Sequence, residues 1–115
     1  MEKFLYLFRG GDKVRAQQSP EAIQENMKKW GAWMQKLGKE GKLNAGEPLE
    51  KEGSIVKGRD AIITDGPYAE GKEIVSGYLL VNANNFEEAV EMSKECPILE
   101  HEGSVEVRKV IPINM

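Results

Sequence analysis

The 115-residue chain predicts an α+β fold, one antiparallel sheet with two helices on a single face. Three observations carry this. Two segments with helical spacing of apolar residues open on capping signals, one at Ser19-Pro20 and one at Asn85. Runs of β-type residues bracket them, in the order strand, helix, several strands, helix, strand. The length suits one domain, residues 1–115, able to bury roughly two-thirds of its unfolded surface in one core.

Residues 3–9 form the first strand. Phe4, Tyr6 and Phe8 point one way and Leu5 and Leu7 the other, so both faces call for cover. Gly10-Gly11-Asp12 ends the strand, and polar residues 13–18 read as a loop. Ser19 as N-cap, Pro20 at the first helical position and Glu21 in the positive first turn open a helix. Ile23, Met27, Trp30, Met34 and Leu37 recur on it as a core-facing stripe, widened by Trp33. Gly31 weakens it by about 1 kcal/mol against Ala, and Gly38 and Gly41 suit its termination.

Residues 43–49 read as a short, irregular extended piece. Residues 54–57 and 61–64 are short strands around Gly58-Arg59-Asp60, a hairpin. Residues 74–82 make the clearest strand, apolar on both faces, with Gly77 marking a bulge or a close backbone approach. Asn85 caps the second helix, whose Phe86, Ala89, Val90 and Ser93 face inward, and Cys96-Pro97 closes it. Residues 97–103 read as a loop. Residues 104–111 are the last strand, with Val105 and Val107 on one face and Glu106 and Arg108 on the other.

This β-α-β(β)-β-α-β order is the ferredoxin-like split βαβ pattern, βαββαβ around an antiparallel sheet. Helices cover one face of that sheet while the other also carries apolar residues. The chain is therefore expected to form a homodimer in which two sheets pack face to face.

The formal net charge is −3, with acids and bases interspersed and no basic stripe, so no nucleic-acid partner is expected. No apolar run approaches the roughly 20 residues of a membrane span, so no membrane partner is expected. Met1-Glu2-Lys3-Phe4 lacks a signal-peptide pattern, and a lone Cys96 makes no internal disulfide. These features predict a cytoplasmic protein.

Residues 65–73, Asp-Gly-Pro-Tyr-Ala-Glu-Gly-Lys-Glu, make a longer loop than the two to five or so residues a hairpin needs. The loop resembles the Asp-Gly-Pro-Phe-Ala-Glu-x-Lys-Glu signature of the DGPF branch of the YCII-related proteins. Asn44-Ala45-Gly46-Glu47-Pro48-Leu49, Gly77-Tyr78, Cys96-Pro97 and Gly103-Ser104-Val105-Glu106-Val107-Arg108 match the same branch, so the resemblance spans nearly the whole chain. It implies a dimeric α+β barrel built from ferredoxin-like subunits. Relatives sharing that barrel include muconolactone isomerases and chloromuconolactone dehalogenases, and some DGPF proteins are encoded beside extracytoplasmic-function sigma factors. The wider group is proposed to use a His–Asp pair with the His on the first helix. Here Lys29 or Trp30 takes that helix position and the single histidine is His101, so the pair does not carry over.

The residues offer these candidates. Asp65 is either an acid/base at a strand end or a loop cap bonding backbone N–H groups. Lys72 and Glu73 bind a polar ligand or form surface ion pairs. Tyr68 lids a pocket or plugs the barrel end. Arg108, and more weakly Arg9, clamp a carboxylate with the planar guanidinium or pair with acids such as Glu73. His101 is a solvated loop residue or reaches the pocket as a proton carrier. Cys96 and His101 match no metal spacing, and no cofactor or metal is expected. Two functional readings follow. One is a small-molecule-binding or accessory protein with a pocket near Asp65-Gly66-Pro67. The other is a cofactor-free isomerase, dehalogenase or lyase-like enzyme acting on a small organic acid or lactone, with Asp65 as acid/base.

Overall fold

A computed structural model describes residues 1–10, 19–50, 52–66 and 74–113. The strands and helices are β1 (Glu2–Arg9), α1 (Pro20–Lys39), β2 (Leu43–Pro48), β3 (Gly53–Lys57), β4 (Ile62–Gly66), β5 (Val75–Ala83), α2 (Phe86–Ser93) and β6 (Ser104–Lys109). A 3-10 turn, Pro97–His101, lies between α2 and β6. Four strands form one antiparallel sheet in the order β2-β5-β1-β6, the ferredoxin-like arrangement. The most apolar strands, β5 and β1, take its centre, as their two-sided patterns require.

Capping fixes where the helices begin. The Ser19 side chain accepts from the Ala22 N–H, and the Asn85 side chain accepts from the Glu88 N–H at 2.8 Å. Past the end of α1, Gly41 takes φ +70° and turns the chain back, closing the Lys42 N–H on the Leu37 carbonyl at 2.8 Å.

The core lies between the helices and the Phe4, Tyr6 and Phe8 face of β1. Tyr6 stacks on Trp33 with ring centroids 6.2 Å apart, and Phe8 meets Trp30 edge-on at 5.1 Å. The buried Tyr6 hydroxyl donates to the Ala89 carbonyl of α2, so its polar end is satisfied inside the core. Leu37, Val81 and Phe4 are fully enclosed. The opposite face of the sheet presents Leu5, Leu7, Tyr78 and Leu80, all half-buried.

Three elements differ from the sequence reading. Residues 43–48 are a true edge strand on β5, because pairing outweighs the poor β-propensity of Asn44-Ala45-Gly46, at the cost of a register shift between Leu43 and Ala45. The stretch after Pro97 winds into a 3-10 turn that buries Pro97 and Ile98. Phe86 is 48% exposed although it touches Phe4, since it stands at the first position of α2, at the edge of the core.

The β3–β4 hairpin is a separate two-stranded sheet inserted between β2 and β5, with its principal contacts made internally. It helps to spread the molecule. The Cα radius of gyration is 15.8 Å, against about 13 Å for a compact chain of this length.

Candidate functional site

The first helix does not settle flat onto the sheet. Beneath it, β5 carries Gly77 on the helix-facing side, between Phe8 of β1 and Pro48 of β2. Gly46 of β2 sits next to Leu79. Both glycines are dictated by the strands. A Cβ on Gly77 would stand 3.1 Å from the Glu47 carbonyl oxygen, and one on Gly46 would run into the Leu79 side chain and, at 2.8 Å, the Tyr78 carbonyl oxygen. The result is a thin floor, and a cavity of about 440 Å³ opens between α1 and the β2–β5 side of the sheet.

Met27, Trp30, Gly31 and Met34 of α1 form the roof of this cavity. The sequence pattern assigns Met27, Trp30 and Met34 to the core. Only Trp33 and Leu37 of α1 are buried; Trp30 and Met34 are half-buried, and Met27 is 61% exposed. The amphipathic stripe is real, but part of it borders empty space. Ile98 and His101 of the 3-10 turn close one end, and Gly10 and Ser76 contribute at the strand ends.

Polar groups are few and placed. His101 Nε2 lies 3.0 Å from Asn26 Oδ1, and both residues line the cavity. An amide oxygen only accepts, so Nε2 carries the proton in this contact. Ser76 Oγ donates to the Phe8 carbonyl at 3.3 Å. On the opposite face of the sheet the Tyr78 hydroxyl donates to Glu47 at 2.9 Å, and this bond to a carboxylate holds the phenol proton on, above its usual range. The remaining lining is apolar, the composition of a small-molecule site.

A row of contacts fixes α1 against the 92–101 segment. Besides Asn26–His101 it holds Lys29–Glu100 at 3.2 Å, Trp33 Nε1 to the Met92 carbonyl at 3.3 Å, and Lys36–Glu95 at 2.9 Å. The α1 members recur at three- and four-residue spacing, so they share one face of the helix. Each ion pair is solvent-exposed and contributes little by itself. Together they set the position from which His101 enters the cavity.

Of the residues singled out from the sequence, His101 stands on the cavity wall. Arg9 and Arg108 lie on the other face of the sheet, Arg9 hydrogen-bonded to Glu106 and Arg108 in a looser ion pair with it at 3.9 Å, with the Arg108 side chain 69% exposed. Neither is part of the cavity lining. The Asp65 backbone pairs with Ser54 in the hairpin. The Asp65 side chain, Tyr68, Lys72 and Glu73 lie outside the described residues. Asn26, Ser76 and Gly31 were not singled out as site residues. A helix-interior glycine next to a tryptophan was the available signal for the last.

Cys96 is buried, and burial pushes its thiol up to about 12, away from thiolate chemistry. Among the described residues, no group of three or more His, Cys, Asp or Glu side chains is arranged to hold a metal ion. No described helix is long and apolar enough to cross a membrane.

Comparisons with known proteins agree with this architecture. A family model described as the YCII-related domain matches residues 5–114. No curated protein matches the chain. Among solved structures, the chain is similar to the 5-chloro-2-hydroxyhydroquinone dehydrochlorinase of Burkholderia phenoliruptrix AC1100, determined in complex with 2,5-dihydroxybenzoquinone. The TM-score is 0.53 at 16% identity, covering 95% of this chain and 93% of that one, which establishes a shared fold.

Proposed function

The chain belongs to the YCII-related family, and on that premise we propose that it is a cytoplasmic small-molecule-binding protein whose site is the cavity under α1. One observation carries the reading: an apolar cavity of about 440 Å³ has its single imidazole, His101, held at one end by Asn26. Such a site takes a ring-bearing organic acid or phenol, with the ring among Trp30, Met34 and Leu79 and an ionisable oxygen toward His101. The quinone bound by the structurally similar dehydrochlorinase has this chemistry. The residue 65–73 motif supports placement in the DGPF branch, and its downstream end leads within three residues to Ser76 on the cavity wall. Calorimetric titration with 2,5-dihydroxybenzoquinone tests the reading. Saturable binding that His101→Ala weakens supports it, and absence of binding at millimolar ligand rejects it.

A second reading, catalysis without a cofactor, is favoured by the same imidazole, which stands on the cavity wall where it can pass a proton to or from a bound acid or lactone. Asp65 is the other acid/base candidate. Incubation with 5-chloro-2-hydroxyhydroquinone and with muconolactone, followed for chloride release and isomer formation, separates the two. Binding without conversion leaves the first reading standing.

We also propose a homodimer. The apolar open face at Leu5, Leu7 and Leu80 supports it, as does a hairpin with Val56, Ile62 and Ile63 exposed, since a lone two-stranded sheet is marginal in water. A link to a sigma-factor system rests on the family resemblance.

A further inference from the structure

Gly31 has no role that the protein's own packing explains. It lies within α1, where glycine is the poorest residue after proline. Its backbone does not demand glycine, because the positive-φ glycines described are Gly10, Gly41 and Gly58. Its neighbours do not demand it either: an added Cβ would meet no described atom within 4 Å. Gly46 and Gly77, across the same cavity, differ on this point, for strand backbone crowds them both. Gly31 therefore leaves space that the protein does not fill, and it does so as an exposed residue of the cavity lining, at the rim of the roof.

Its place along the helix gives the direction. Gly31 is five residues beyond Asn26, about 7.5 Å along the helix axis from the His101 end. Trp30 and Met34 flank it, so the space is apolar.

We infer that Gly31 sets the length of ligand the cavity accepts, keeping the end distal to His101 open for the apolar end of a molecule longer than one six-membered ring. The ligand class is a fused-ring or ring-extended phenol or acid, its polar edge at His101 and its apolar edge under Gly31. This rests on the small-molecule reading of the same cavity.

The test compares wild type, Gly31→Leu and Gly38→Leu by calorimetry with two probes. The probes are 2,5-dihydroxybenzoquinone, with one ring, and 2-hydroxy-1,4-naphthoquinone, with two. Gly38 lies in the same helix, away from the cavity, and also has no atom within 4 Å of an added Cβ. Gly31→Leu is expected to weaken the two-ring probe by about tenfold or more and the one-ring probe by less than about threefold. Gly38→Leu should change neither, and neither variant should melt below wild type, because leucine favours the helix. Unchanged two-ring binding in Gly31→Leu, or an equal loss of both probes, overturns the inference while leaving the small-molecule reading intact. If wild type binds neither probe, that reading fails and the inference with it. Should Gly31→Leu melt early, Gly31→Ala decides instead: a several-fold loss confined to the two-ring probe supports the role of Gly31, and no loss overturns it.

Discussion

His101 Nε2 bonds Asn26 Oδ1 at 3.0 Å, joining the 3-10 turn to α1 across 75 residues of sequence. The contact is part-buried and lines a cavity, so it acts both as a tether and as the cavity's polar end. His101→Phe keeps an aromatic ring of related size but removes the exchangeable proton. Affinity for 2,5-dihydroxybenzoquinone should fall about tenfold. Calorimetric titration of the variant beside wild type reads the loss.

Asn26→Ala should act more mildly on binding and mainly through stability. It removes one contact of His101, the one to Asn26, a loss of about 1 kcal/mol, while the imidazole stays in place. Urea denaturation measures the first effect. Ligand affinity weakened less than in His101→Phe is the sign that Asn26 positions His101 and does not replace it.

Stability should decline on the alkaline side. Burial lifts the Cys96 thiol from 9.0 to about 12, and Tyr6 is raised as well, mainly by burial. Between pH 9 and pH 12 the unfolded chain has released the thiol proton that the folded chain keeps. The unfolded state then binds fewer protons, so stability is intact below about pH 9 and is lost as pH climbs toward 12. Cys96→Ala should flatten that decline between pH 9 and about 11, while removing roughly 1–2 kcal/mol of packing at pH 7. Urea melts at stepped pH provide the check.

The cavity floor and roof should respond oppositely to side chains. Gly77→Val pushes a branched side chain against the Glu47 carbonyl and Pro48 Cα, and should cost about 1–3 kcal/mol by prising β2 from β5. Gly31→Ala meets nothing and should hold or raise stability by up to about 1 kcal/mol. Thermal melts of the two variants, run in parallel, distinguish a structural glycine from one that leaves room.

The open sheet face should govern assembly. Leu7→Glu sets a charge among Leu5, Tyr78 and Leu80, on the side away from the core. If two copies meet on this face, light scattering should show the variant as a monomer, with far-UV circular dichroism unchanged. An unchanged dimer mass would locate the interface elsewhere.

Much of the architecture was legible because local signals agreed. Ser19-Pro20-Glu21 and Asn85 marked the helix starts, and the alternation of Phe4, Tyr6 and Phe8 with Leu5 and Leu7 marked β1 as a strand with two faces to cover. The hairpin was legible from Gly58-Arg59-Asp60 between β-branched runs. Residues 43–48 were not read as a strand, since their pairing is supplied by β5, some 30 residues away. The site was harder to see. Periodicity places Met27, Trp30 and Met34 on an inward face but cannot tell a packed interior from a hollow one. The hollow arises where Gly46 and Gly77, distant in sequence, stand on the paired strands β2 and β5 and both line the cavity under α1. Likewise, nothing near His101 in the chain announces Asn26. The 3-10 turn brings them together, and a turn of that kind leaves no periodic trace in five residues.

The β3–β4 hairpin closes on itself, with Ala61 held at φ 51° beside Gly58 at φ 79° in its tip. Such a unit can melt and re-form while the four-stranded sheet stays intact, giving two tiers of amide protection within one chain. Deuterium should enter β3 and β4 early and β1 and β5 only on global opening. Ala61→Gly, by relieving a left-handed alanine, should slow exchange in the early tier alone.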